Sequence, residues 1–384
     1  MKPLNNAALS MPSSGIRKIM SLSENIDDCI HLEVGQPDLR APEHILDAAA
    51  KAAKDGFLQY TNSAGIMGLR EAIARKVTEK NGWQATPDNV VVSPGAVCSI
   101  YTSLLMLIEP GDEVLMPDPG WPNYTMQMTC VGARPAFYRL DPANGFDIDR
   151  AHLESLVTPK SKVLMLNTPG NPTGAVFSHE ALEWVVSLAR KHDLYILSDE
   201  IYQDIIYEKS HIPVAQFDSD GRVITISGFS KSYAAMGLRV GYAVCNENLA
   251  KVLTKVQEPV VSCASSVSQK ACQAALEGSQ EPMLKMVDEY RRRRDAVIEI
   301  LRRHGLYQYT PSGAFYLLVD ISKTGMNSTD FAVKLLDEKK VAVAPGETFG
   351  ASTNSFIRVS YVVEIDSLKV GVEKLCESIK EYAV

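Results

Sequence analysis

Between about residue 88 and residue 245, short apolar runs alternate with longer stretches in which apolar positions recur every three or four residues. The runs at 90–92, 113–116, 163–166, 194–198 and 223–226 all contain Val or Ile and are too short for ordinary helices, so they predict strands. The spacing from Ala96 onward and over 179–191 predicts amphipathic helices between them. Apolar strands separated by helices imply an α/β architecture with a mostly parallel central sheet covered on both faces. In such sheets ligands collect at the C-terminal ends of the strands.

Toward the ends of the chain the pattern changes. A helix over 281–304, strands over 315–319 and 356–359 and a final helix over 367–382 read as a smaller α+β unit. A chain of 384 residues exceeds what one hydrophobic core usually serves. The expected division is a large domain over 45–280 and a small one built from 1–44 and 281–384.

A formal net charge of −7 with scattered Lys and Arg argues against nucleic-acid binding. The dense run Arg291 to Arg294 is expected on a solvated or interface face of its helix. Seven cysteines without CxxC spacing fit reduced thiols in a cytoplasmic protein. The dispersed histidines offer no His-x-x-x-His pair, so no metal is expected. No signal-like N-terminus and no apolar run of about eighteen residues appears, which predicts no membrane association.

Candidate chemistry follows the strand ends. Lys231 lies among small residues in the segment 228–241, with Arg239 eight positions on. A lysine in a partly desolvated pocket can react as a free amine with an aldehyde, and the planar fork of an arginine suits a phosphate. An exposed lysine and a solvated arginine are the plainer alternative for an isolated Ser-Lys pair. Asp199 closes an apolar run, so its carboxylate either meets a positive partner or caps a helix. Asn171 lies in a loop over 167–174 that holds two prolines and two glycines, a rigid turn. Ser93-Pro94-Gly95-Ala96-Val97 joins a strand to a helix whose free amides can hold an anion. Trp121 stands in a Pro-rich loop, either stacked on a ligand or packed as a plug. Arg358 interrupts an apolar strand and needs an anion, which an internal salt bridge or a ligand would supply.

Taken in order, these segments resemble the class I and II aminotransferases, the aspartate aminotransferase superfamily of fold type I, which use pyridoxal 5'-phosphate (PLP). The resemblance runs from about Gly35 to the final helix. It implies that Lys231 carries the cofactor and transfers protons, and that Asp199 meets the pyridine nitrogen. By the same resemblance, Tyr202 of Asp199-Glu200-Ile201-Tyr202 and Asn171 bond the phenolic oxygen, while Trp121 lies on the ring. Gly95, Ala96, Val97, Ser230 and Arg239 seat the phosphate. Tyr60 reaches the phosphate of a neighbouring subunit, which implies a homodimer. Arg358 binds the substrate α-carboxylate and Gly35 closes over it. Gly170 departs from the family, standing where many relatives have a second asparagine.

The implied reaction moves an amino group from an L-amino acid to a 2-oxo acid by a ping-pong mechanism. A carbon–sulfur β-lyase would use the same constellation. A non-catalytic PLP or amino-acid sensor is the remaining alternative, but the chain has no spare length for a DNA-binding module. Many bacterial aspartate aminotransferases of this branch carry a lysine at the position of Val97, which disfavours dedicated aspartate activity here. Ile16, Val97 and Tyr124 suggest a mixed apolar and aromatic wall, hence neutral or aromatic donors with 2-oxoglutarate or pyruvate as acceptor. Arg17, in the N-terminal arm, is a further candidate cation.

Overall fold

The computed structural model describes residues 1–12, 14–208 and 210–384. After a two-residue strand near the N-terminus, β1 (Ile30–His31), come the strands of the central sheet. These are β2 (Val90–Ser93), β3 (Glu113–Asp118), β4 (Arg134–Asp141), β5 (Asp147–Ile148), β6 (Ser161–Asn167), β7 (Tyr195–Asp199), β8 (Val223–Gly228) and β9 (Gly241–Val244). Their spatial order is β2-β9-β8-β7-β6-β3-β4-β5. Strands β4, β3, β6, β7 and β8 run parallel, β9 is antiparallel to both of its neighbours, and β5 is an antiparallel edge.

Alternation along each strand explains why the central runs are apolar throughout. Val163 and Met165 of β6 face one hydrophobic cluster, whereas Leu164 and Leu166 face another on the opposite side of the sheet. Helix Ala96–Leu107 packs on the first side through Ile100, Leu104 and Leu107. Helix His179–Lys191 covers the second through Leu182, Val185, Val186 and Ala189. The latter begins where expected because the Ser178 hydroxyl caps it, accepting from the Ala181 amide.

The C-terminal region forms a second, three-stranded antiparallel sheet. Here β13 (Phe356–Ser360) lies between β10 (Tyr316–Asp320) and the two-residue β12 (Ala344–Pro345), while the short β11 (Val341–Ala342) stands outside this sheet. Strand β1 runs parallel to β11, so residues 30–31 join the last third of the chain.

Helix Glu281–His304 has the predicted bounds, but its arginine run differs from expectation. Arg291 and Arg292 are partly exposed, whereas Arg293 and Arg294 are buried. Arg293 forms an ion pair with Asp38 at 2.8 Å, and Arg294 donates to Glu208 at 2.7 Å and to the Pro311 carbonyl at 2.9 Å. Successive residues on a helix point about 100° apart, so four consecutive arginines cannot share one solvated face.

Among the described residues no helix is long and apolar enough to cross a membrane.

Candidate active site

Strand register brings the chemically active ends together. Asn167 at the end of β6 lies opposite Asp199 at the end of β7, and both Ser93 and Gly228 lie opposite Gly241. A cavity of about 560 Å³ opens at this edge. It is lined jointly by strand ends of the central sheet, by the N-terminal segments around Ile16 and Gly35, and by Tyr316 and Arg358 of the second sheet.

Lys231 is mostly enclosed, and its Nζ donates to the Gly35 carbonyl at 2.9 Å. Burial, with the positive charges of Arg358 and Arg239 adding to it and Asp199 opposing, lowers its pKa from 10.5 to about 8. About a tenth of the amine is therefore free at pH 7, far more than an ordinary lysine offers a reaction that needs a nucleophile or base. Asp199 is 3% exposed and shifted the other way, to about 6, chiefly by desolvation. Its Oδ2 accepts from the Tyr124 hydroxyl at 2.6 Å and its Oδ1 from the Ile201 amide at 3.1 Å. The carboxylate thus caps a turn and not the helix that one of its two readings anticipated, and among the described residues no cation contacts it.

Tyr124 stands in the cavity wall, as the sequence suggests. Its ring borders the cavity, but its hydroxyl is committed to Asp199, because a buried hydroxyl pointing at a buried carboxylate satisfies both. Trp121 lines the same cavity and packs edge-on against Tyr124, with ring centres 5.4 Å apart.

Arg358 is 2% exposed. It donates through Nη1 to Asn171 Oδ1 at 3.0 Å and through Nη2 to the Glu33 carbonyl, while Nε has no partner. Its guanidinium lies over the rings of Tyr316 and Phe349 at 4.4 and 4.8 Å. No carboxylate contacts it among the described residues, and burial lowers its pKa. A buried guanidinium held only by carbonyls and rings is set up for an external anion.

The start of helix Ala96–Leu107 offers a second anion site. Gly95, at φ 87°, caps the helix, and among the described residues the Ala96 and Val97 amides have no backbone acceptor. A β-carbon on Gly95 would lie 2.7 Å from Arg239 Nη2, and one on Gly241 would lie 2.2 Å from the Ala96 nitrogen. Glycine at both positions lets the arginine and the neighbouring strand approach the helix start.

Of the residues singled out in the sequence, Gly35, Ala96, Val97, Trp121, Asn171, Asp199, Tyr202, Ser230, Lys231, Arg239 and Arg358 line this cavity, together with Ile16, Arg17 and Tyr124. Gly95 stands directly behind Arg239. Tyr60 does not line it and is 90% exposed. Two participants were missed. Asn167 accepts from the Asn171 amide and donates to the Asp199 carbonyl, and Tyr316 bonds Tyr202 with 3.0 Å between their hydroxyl oxygens. A hydroxyl inside an apolar strand was the available signal for Tyr316.

A desolvated lysine, a buried carboxylate, an anion cradle at a helix start and a buried arginine without a carboxylate partner among the described residues are the parts that a PLP enzyme of fold type I brings together. By their chemistry these residues could hold that cofactor: the free amine of Lys231 would suit an aldehyde, the Asp199 carboxylate a ring nitrogen, and the Ala96 and Val97 amides with Arg239 a phosphate. The family model for aminotransferase class I and II matches residues 27–375, and the chain belongs to this family. It is 37% identical to an aspartate aminotransferase of Musicola paradisiaca, over 91% of this chain and 88% of that one. It is 35% identical to aromatic-amino-acid aminotransferase 2 of Thermococcus litoralis, over 96% of each chain. A double mutant of Thermus thermophilus aspartate aminotransferase superposes with a TM-score of 0.93 at 32% identity, covering 98% of this chain and all of that one. The fold is that of the fold-type I aminotransferases, and the protein is an aminotransferase.

Proposed function

We propose that this enzyme transfers the amino group of an L-amino acid with a neutral or aromatic side chain to a 2-oxo acid, in two half-reactions at one PLP site. The observation that carries the reading is the common cavity in which Lys231, with its pKa lowered to about 8, faces both Asp199 and the unpaired guanidinium of Arg358. When bound, PLP supplies an aldehyde that condenses with amines and a ring that draws electrons from the substrate α-carbon. Asp199 holds a proton on the ring nitrogen, and Tyr124 keeps the carboxylate aimed. Tyr202 and Asn171 donate to the phenolic oxygen; Asn171 has its amide NH2 left for this because its Oδ1 already serves Arg358. Trp121 lies against the ring. Ser230, Arg239 and the amides after Gly95 hold the phosphate, completed by Tyr60 of a second subunit in a homodimer. Arg358 binds the substrate carboxylate through its fork, and Gly35 closes beside it. The free amine of Lys231 would take the proton from the substrate α-carbon and hand it to the carbon that carries the cofactor's aldehyde, and in the opposite half-reaction it would run the same transfer in reverse. Residues 1–44 with 281–384 form a small domain that closes on 45–280 and excludes water from these transfers. The reduced cysteines fit a cytoplasmic enzyme.

The donor assignment rests on Ile16 and Val97, which place apolar surface in the cavity and no cation at position 97. The one cation the N-terminal helix Gly15–Ser23 contributes to the lining is Arg17, exposed and without an ion pair among the described residues. We assign it to the distal carboxylate of an acidic acceptor. The test is to incubate PLP-loaded protein with single L-amino acids and no acceptor, assaying 2-oxo acid and ammonia. One 2-oxo acid per site without ammonia is expected, with aromatic and neutral donors ahead of aspartate. Continuous release of pyruvate and ammonia would make the enzyme a β-lyase, and turnover confined to aspartate would overturn the donor assignment. Arg17→Ala should raise KM for 2-oxoglutarate about tenfold, the scale of one charge-assisted hydrogen bond, and leave KM for pyruvate unchanged.

A further inference from the structure

Tyr316, in β10, is fully enclosed, and three parts of the site converge on it. Its hydroxyl lies 3.0 Å from that of Tyr202. The Arg358 guanidinium sits 4.4 Å from its ring centre. Gly35 passes so close that a β-carbon there would lie 1.8 Å from the Tyr316 hydroxyl, and the carbonyl of this same Gly35 accepts from Lys231. One side chain therefore touches the arginine, the tyrosine aimed at the cofactor and the backbone that holds the lysine.

The direction of the tyrosine–tyrosine bond follows from charge. A cation over a phenol ring favours the phenolate, so Tyr316 is the more acidic hydroxyl of the pair and the better donor. Burial raises the pKa of both tyrosines and Arg358 opposes it at both, but at Tyr316 Arg358 is the leading influence after burial, whereas at Tyr202 the Tyr316 neighbour comes ahead of it and raises the pKa further. A Tyr202 oxygen that accepts from Tyr316 leaves its own proton polarised toward a third group, because hydrogen bonds in a chain reinforce one another.

We infer that Tyr316 is a positioning residue that aims the Tyr202 proton into the cavity and relays the occupancy of Arg358 to that hydrogen bond. The inference rests on the reading of Tyr202 as a donor to the phenolic oxygen of PLP. A carboxylate on Arg358 neutralises the charge over the Tyr316 ring, Tyr316 becomes a weaker donor, and the bond from Tyr202 slackens in turn. Asn171, bonded directly to Arg358, forms a parallel link, so removal of the Tyr316 hydroxyl weakens the relay without abolishing it.

Tyr316→Phe keeps the ring under Arg358 and removes only the hydroxyl. In the PLP-loaded protein the pH midpoint of the visible band should rise by roughly half to one unit, because fewer donors stabilise the negative oxygen. The additional midpoint shift produced by saturating 3-phenylpropionate, a carboxylate that cannot react, should shrink at least twofold. The kcat should fall about three- to tenfold, the scale of one neutral hydrogen bond, with KM for the amino donor changed less than twofold. Tyr316→Leu, which also removes the ring, should raise that KM. A midpoint and carboxylate response equal to wild type would overturn the relay, whether or not kcat falls. Wild-type protein that shows no pH-dependent visible band, or a band that survives Lys231→Ala, would instead bring down the reading of the site itself.

Discussion

Lys231 occupies a position that disfavours its own charge, and this has a measurable consequence in the cofactor-free protein. Its pKa in the fold, about 8, lies below the usual 10.5, so between these values the unfolded chain holds a proton that the folded chain has lost. The penalty is fully present below pH 8 and vanishes as the pH rises to 10.5. Lys231→Met should therefore stabilise the cofactor-free protein by about 2 kcal/mol at pH 7, the lost bond to Gly35 offsetting part of the gain. The advantage should shrink steadily as urea unfolding is repeated up to pH 9.5, and a constant difference would show that packing and not charge is responsible. Lys231 was legible because its small neighbours and following arginine lie within one segment. The hydroxyl chain from Tyr316 to Tyr202 was not, since its members are 114 positions apart.

Elements were read well where burial leaves a periodic trace. Helix His179–Lys191 and helix Glu281–His304 carry that trace over their full length. Strand ends were read early: β3 runs on to Asp118 and β7 to Asp199, polar residues that an apolar run excludes, and of the two Asp199 lines the site. The antiparallel strand β9 left no distinctive pattern, yet it fixes the anion cradle through Gly241. Gly241→Ala would drive a methyl group against the Ala96 backbone, which cannot yield as a flexible side chain does. The expected result is a loss of about 1–3 kcal/mol in urea unfolding together with weaker retention of PLP on dialysis. Unchanged stability and retention would mean that the strand and the helix start are free to separate.

At the scale of the whole molecule, the exposed Tyr60 is the feature that one chain leaves unexplained. It is 90% exposed beside Leu58, itself 69% exposed, an arrangement that suits an aromatic meant for another subunit. If each site borrows this tyrosine, Tyr60→Ala and Lys231→Ala homodimers should both be impaired, while unfolding and refolding a mixture should restore activity. Hybrids then contain one site with a native lysine and a native borrowed tyrosine, and about a quarter of wild-type activity is expected from random pairing. No recovery would place Tyr60 outside the neighbouring site.

By itself, the sequence determined the α/β sheet, the helices over it and most of the residues that line the cavity, because each of these leaves its mark within a few consecutive residues: an apolar run, a helical period, a lysine loop, a glycine turn. The tertiary structure alone decided who satisfies whom. It gave Asp199 the hydroxyl of Tyr124, 75 positions away, turned half of an arginine run inward, and left Arg358 bonded to a carbonyl 325 positions away with no carboxylate among the described residues to neutralise it. Contacts of that span depend on how strand register and helix orientation place side chains in space, and no local pattern along the chain records them.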